Sequence, residues 1–191
     1  MASTHRLSTV LLLASTACAV KSENSPDSTA VGSTSVTTTP APADTPMTKM
    51  WTITGAGLGP LRIDQSIAEA NAAVGGGFSG STASCTYAAW PKAPTGVAVM
   101  LAKGRVVRIE VRSGKIATAA GAHIGDSESR ISALYPGRVN SSPHKYNPGG
   151  HYLTVRAPNA SNRMVFETDG GSVTNYRVGR SPEVEQVERC G

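Results

Sequence analysis

The sequence predicts an α+β domain: two tandem repeats, each a short helix followed by an antiparallel meander, merged into one domain with the helices on one face of an antiparallel sheet. Three observations predict it. A phrase with Ile first and Ser three residues later opens a helical stretch that stops at Gly, once from Ile63 to Gly76 and again, at the same spacing throughout, from Ile124 to Gly137. A strand–turn–strand segment follows each copy. A second, longer spacing relates those segments, taking Gly104 to Gly171, Val106 to Val173 and Val111 to Val178. Two copies are too few for an open solenoid, so one merged domain is expected.

The chain begins with a secretory signal, residues 1–19. His5 and Arg6 precede the apolar run Leu11-Leu12-Leu13-Ala14, and small residues follow. Such a run is too short to span a bilayer. Two cleavages compete. Ala17-Cys18-Ala19 offers a small-x-small site before Val20, whereas Ser15-Thr16-Ala17-Cys18 resembles a bacterial lipobox with Ser at its first position. The second makes Cys18 the lipid attachment site of an exported, periplasmic or outer-membrane-anchored lipoprotein, held to the membrane by that anchor alone. Residues 20–49 contain no aromatic side chain and are rich in Ser, Thr, Pro and Ala. That composition cannot bury enough apolar surface to offset the entropy of ordering, so it predicts a disordered linker.

Residues 50–191 form the predicted globular domain, with repeat boundaries at about 50–114 and 115–191. Arg6, Lys21 and Lys49 precede it, as do Glu23, Asp27 and Asp44, so the domain carries the whole net charge of +5. No Lys/Arg run and no interleaving of basic with aromatic residues accompanies that charge, which argues against nucleic acid, as does export. A protein or glycan of the cell envelope is the expected partner. With Cys18 lipidated, Cys85 and Cys190 remain as a pair, and an oxidising compartment predicts their disulfide. That bond leaves no thiol for nucleophilic chemistry.

In the first copy Ser66 and Glu69 form an S-x-x-E capping box, Ala70, Ala73 and Val74 give an apolar side, and Gly75 ends the helix. In the second, Ser127 is the cap, Ile131, Leu134 and Tyr135 form the stripe, and Pro136-Gly137 end it. Val97–Leu101, Lys103-Gly104 and Val106–Val111 predict one hairpin; Met164–Thr168, Asp169-Gly170-Gly171 and Val173–Val178 predict its counterpart. Further strands are expected around 85–89 and 152–156. Alternation places Val107, Ile109, Val111, Tyr176 and Val178 under the helices. It places Arg108, Glu110, Arg112, Asn175 and Arg177 on an open, basic face.

A resemblance follows from the motif Gly121-Ala122-His123-Ile124-Gly125-Asp126-Ser127 and its more degenerate copy, Gly59 to Ser66. With the export signal and the tandem pattern over 50–191, the chain resembles the β-lactamase inhibitor protein family and the small outer-membrane assembly lipoproteins of similar fold. It departs from them in lacking a glycine after Ile63 and in showing one helix per copy instead of two. The resemblance implies a concave sheet that binds a protein; a fold likeness does not carry an activity with it.

Chemistry-bearing residues are scattered. His144 and His151 lie in a Pro/Gly-rich stretch, at a spacing foreign to helical zinc sites. No G-x-S-x-G elbow and no phosphate loop occurs. The expectation is a non-enzymatic binding module without cofactor or metal. The alternatives are a small envelope hydrolase built around His144 and His151 with an acidic residue, and a purely structural envelope protein. The stretch 138–151 reads as a loop insertion carrying His144, Lys145, Tyr146 and His151 between Pro143 and Pro148. Flanked by Arg108, Arg112 and Arg177, it is the expected recognition surface. The lipid anchor is directly testable: a Cys18→Ser variant is expected to move from the membrane fraction to the soluble fraction, and persistent sedimentation with membranes sinks that assignment.

Overall fold

The computed structural model describes residues 51–157 and 161–190. The expected signal segment with Cys18 and the expected linker at 20–49 lie outside the described residues. The structure corrects the predicted fold class. The domain is mostly β, with ten strands in two antiparallel sheets and two helices of seven residues each. It is not a helix-plus-meander α+β fold, for a physical reason: helices of under two turns cannot form a covering layer.

A small sheet shares that work. Strands β1 (Ile53–Thr54), β2 (Gly57–Leu58) and β3 (Leu61–Arg62) pair antiparallel ahead of helix α1 (Ile67–Ala73). The main sheet takes β4 (Thr86–Tyr87), β5 (Val97–Ala102) and β6 (Arg105–Val111) from before helix α2 (Glu128–Leu134). From after it come β7 (Val139–Pro143), β8 (His151–Arg156), β9 (Asn162–Thr168) and β10 (Val173–Arg180). Its order is β4-β5-β6-β10-β9-β8-β7, so β6 and β10 join the two halves and β7 forms one edge. The stretch expected to be a loop insertion therefore contributes an edge strand, since Val139 to Pro143 continue the ladder on β8.

The repeated phrase has a local explanation. Asp64 and Gly125, each directly after the phrase's Ile, both adopt left-handed backbone, at φ +70 and +93. Asp64 N–H donates to the Val106 carbonyl at 2.8 Å and Gly125 N–H to the Val173 carbonyl at 2.8 Å. Val106 N–H and Val173 N–H return bonds of 2.8 Å to Gln65 and Asp126. Each phrase thus clips the start of a helix to a hairpin. Ser66 then accepts from Glu69 N–H while the Glu69 carboxylate accepts from Ser66 N–H, completing the capping box. Ser127 accepts from Arg130 N–H.

The core lies between one face of the main sheet and the layer of α1, α2 and the small sheet. Ile53, Leu58, Leu61, Ala70 and Ile131 meet Ile109, Val111, Phe166, Tyr176 and Val178, all fully buried. A bulge opposite Met100 and Leu101 leaves Val107 as the extra residue and turns Val106 into the core cluster, which shifts the expected alternation in β6. Phe166 stands at the centre, with ring centroids 5.9 Å from Tyr135 and 5.4 Å from Tyr176. Phe166→Ala removes these contacts and leaves a cavity, and is expected to lower the unfolding free energy by about 3–5 kcal/mol in urea titrations. A loss under about 1 kcal/mol would show that the ring is not a keystone of this core.

Candidate functional site

The second face of the main sheet carries the polar residues, and it is not open. After β10 the chain turns back, and Ser181 to Cys190 run as a strap across the sheet. Cys190 is bonded to Cys85 beside β4, with the Cα atoms 5.3 Å apart, closing a sequence separation of 105 residues. A loop of that length restricts the unfolded chain by about 4–5 kcal/mol in the chain-entropy picture. Val184 is fully buried on Tyr152 and Val165, with Val187 packed alongside. Gly179 makes room for it: a Cβ there would lie 2.4 Å from the Val107 carbonyl oxygen and 3.2 Å from Val184 Cβ.

This strap overturns the expected exposure of the arginines. Arg108 and Arg177 are only 2% and 4% exposed, and Glu110 only 6%. Arg108 Nη1 donates to the Gln186 carbonyl at 2.7 Å and the Glu183 carbonyl at 3.2 Å. Its Nε reaches Glu110 at 2.8 Å. Arg177 Nε donates to the Val184 carbonyl at 2.6 Å, while its Nη1 pairs with Glu167. Arg112 is half-exposed, bonds Glu110 through Nε at 2.6 Å and lies over the Tyr87 ring. The alternation placed these residues on the right face, but nothing in it announced a cover.

The residues of the expected loop also disperse. His144 is half-buried, stacked on Tyr152 with centroids 4.5 Å apart, and its Nε2 lies 3.8 Å from Glu167. His151 points to the other side of β8, where Nδ1 lies 2.8 Å from Glu128 of α2. Thr168 donates its hydroxyl to the same Glu128 oxygen at 2.5 Å. That arrangement is not a nucleophilic relay, because the hydroxyl serves the carboxylate and not the imidazole. The two histidines use different carboxylates on opposite faces of the sheet. Lys145 and Tyr146 both engage Glu188 of the strap, and Tyr146 remains 63% exposed.

What remains accessible on this face is a groove of about 600 Å3 beside the strap. Arg138, Asn140, Ser142, Thr154, Arg156 and Arg163 line it, with Tyr152, Val165 and Arg177 among the residues of its floor and Glu185 as the one acidic residue among its described lining. Arg163 lies 3.8 Å from Glu185, and the charge of Arg177 is met by Glu167. Arg138 spends Nε and Nη2 on the carbonyl oxygen of Arg156 and lies over the Tyr135 ring, so no carboxylate among the described residues offsets it. Arg156 is exposed, and its guanidinium has no acceptor among the described residues. Positive charge is therefore least compensated at the β7–β8 end. Sequence reasoning missed Arg138, Arg156 and Arg163. The signal available was the alternation Tyr152, Thr154, Arg156 along β8, which continues the polar face beyond the hairpins.

No family model, curated protein or solved structure matches this chain. No helix among the described residues is long and apolar enough to cross a membrane.

The buried carboxylates make the strap's seat pH-dependent. Burial pushes the Glu110 carboxyl up, but the Tyr87 hydroxyl and the guanidinium groups of Arg108 and Arg112 outweigh it and hold the group below the ordinary 4.5. Burial likewise opposes, and Arg177, Asn175 and His144 outweigh it, at Glu167. A carboxyl lowered in the folded state stabilises fully above its unfolded value, and that contribution disappears as pH falls through the lowered folded value. Unfolding free energy is thus expected to hold between about pH 6 and 8 as far as these groups are concerned, and to fall below about pH 4.5. Glu167→Gln should flatten that acid limb in urea titrations taken at successive pH values. An acid limb identical to that of the unaltered protein would exclude Glu167 as a source of it.

Proposed function

We propose that this chain is a non-enzymatic binding module of the cell envelope, exported and tethered by lipid at Cys18, which holds an anionic protein or glycan partner in the groove at the β7–β8 end of the main sheet. The observation that carries this reading is the uncompensated pair Arg138 and Arg156 beside a polar, accessible groove. Charge of one sign lining a concave wall concentrates the field and favours an anionic partner. The dispersal of His144 and His151 over two faces favours binding over the hydrolase alternative, since no acid, base and nucleophile converge. The reading moves the recognition surface away from the 143–146 turn, because His144 is occupied in packing and Lys145 and Tyr146 serve the strap.

The test must separate a site from general basicity. Heparin and polyglutamate serve as probes at low salt. The Arg138→Glu/Arg156→Glu variant is expected to weaken binding by about tenfold or more, and added salt should weaken the unaltered protein in the same direction. A Lys92→Glu/Lys115→Glu variant carries the same change in net charge on exposed positions remote from the groove and should bind nearly as well as the unaltered protein. Equal losses in both variants reduce the effect to net charge and remove the groove from the account.

A further inference from the structure

Beside the groove, the edge strand β7 supplies a second set of binding groups, the main chain itself. Its phase follows from one bond. His144 N–H donates to the Gly150 carbonyl at 3.0 Å, and the register continues through Ser142 with Tyr152 and Asn140 with Thr154. In an antiparallel ladder alternate residues face the partner strand. Asn140 and Ser142 therefore direct their main-chain groups at β8, while Val139, Ser141 and Pro143 direct theirs away from the sheet. The placement of Pro143 agrees, because a residue without N–H is tolerated in a strand where that N–H would point outward. Among the described residues nothing pairs with the outer side of β7. Four of its five residues are exposed.

We infer that an acidic, extended segment of a partner protein adds to β7 as an eighth strand of the main sheet, with carboxylates on its groove side meeting Arg138 and Arg156. This inference rests on the groove reading above and names its ligand class. Strand addition draws affinity from main-chain bonds and specificity from alternate side chains. An added strand lies about 4.8 Å from β7, so its groove-side residues fall next to Arg138 and Asn140, with Arg156 one strand further in. Its other side chains fall next to Val139 and Ser141, where Val139 is half-buried against the core. Acidic residues alternating with small apolar ones match both sides. The chain contains a precedent for the chemistry. Its strap segment Glu183-Val184-Glu185 buries the valine against this same face, and its carboxylates pair with Arg180 and Arg163. Pro143 closes the edge at one end, so the open stretch is Val139 to Ser141, against which the arginines stand.

The experiment uses a fluorescent peptide of about seven residues alternating Glu and Val, followed by anisotropy, and two versions N-methylated on the Glu or on the Val amides. Methylation leaves charge and side chains intact and removes the donors along one edge. One of the two versions is expected to bind on the order of tenfold more weakly or worse, since two or more main-chain bonds are lost. Ser141→Pro removes an outward N–H without touching a β8 bond, and should weaken the unmethylated peptide while the melting temperature stays within about 3 °C. If Ser141→Pro fails to fold, the methylated peptides decide alone. Equal binding of all three peptides, abolished by Arg138→Glu/Arg156→Glu, overturns strand addition and leaves the groove reading intact. Binding of a heparin oligosaccharide with no binding of the peptide overturns the inference in favour of a glycan. Failure of every probe overturns both.

Discussion

Two buried arginines hold the C-terminal strap to the sheet, and the arrangement of the polar face depends on them. Arg108 and Arg177 each present one side of the guanidinium to a carboxylate and another to carbonyl oxygens of the strap. Neither half stands alone. A buried guanidinium without its carboxylate leaves an uncompensated charge, a defect of about 3–5 kcal/mol. A strap without the guanidinium leaves the carbonyls of Val184 and Gln186 without those donors. The planar fork of five donors is what allows one side chain to serve both, and lysine could not replace it. The Cys85–Cys190 bond then fixes the far end, so the strap is anchored covalently at one point and electrostatically along its length.

That seat explains why the domain is mostly β and needs little helix. One face of the seven-stranded sheet is covered by two short helices and the three-stranded sheet. The other is covered at its middle by ten residues of irregular chain, Ser181 to Cys190. The strap runs from the bond to Cys85 beside β4 to Tyr152 of β8 and the 145–146 turn. The Arg138 and Arg156 end of this hairpin lies past it; there the face remains a groove, and among the described residues nothing pairs with the outer side of β7. Edges of this kind invite pairing, and proteins commonly shield them with proline or charge. Here Pro143 stands at one end and Arg138 at the other.

Much of the local structure was legible in the sequence. The caps at Ser66 and Ser127, the stops at Gly75 and Pro136-Gly137 and both hairpins follow from side chains that act on their own backbone, and short-range rules describe such effects. In the Lys103-Gly104 turn Gly104 takes φ of +75, as the lack of a Cβ allows, while Lys103 at +51 adopts a conformation uncommon for its residue type. The twice-written phrase proved to specify a turn that clips a helix to a hairpin. Reading it as the opening of an α+β unit overreached, because a turn motif does not say how much of a face its helix will cover. The strap was the larger omission. Ser181 to Cys190 has neither helical nor strand periodicity, and what places it are contacts across the chain from Arg108 and Arg177. The Cys85–Cys190 pairing already required the C-terminus to return to the start of the main sheet, but it did not say over which face the chain crosses. Alternation along β6 and β10 carries no trace of that crossing. Arg108, Arg112 and Arg177 were assigned to the correct face and the wrong environment for that reason.

The same strap sorts the basic residues of this face into two kinds. Glu183 pairs with Arg180, Glu185 lies against Arg163, and Glu188 meets Lys145, so the acidic residues of the strap offset the cations within its reach. Glu110 and Glu167 offset those beneath it. Arg138, in the turn before β7, and Arg156, at the end of β8, stand beyond that reach, and the first meets a carbonyl and an aromatic ring instead of a carboxylate. Compensation of this kind confines the positive potential. A chain with a formal charge of +5 spread evenly would attract any polyanion weakly from every side. Neutralising most of one face leaves a corner where positive charge, a concave wall and, among the described residues, main-chain groups without a strand partner coincide. Each of these alone is common on protein surfaces. Their coincidence at the end of β7 follows from how far Val184 and Glu185 of the strap reach over β9 and β8.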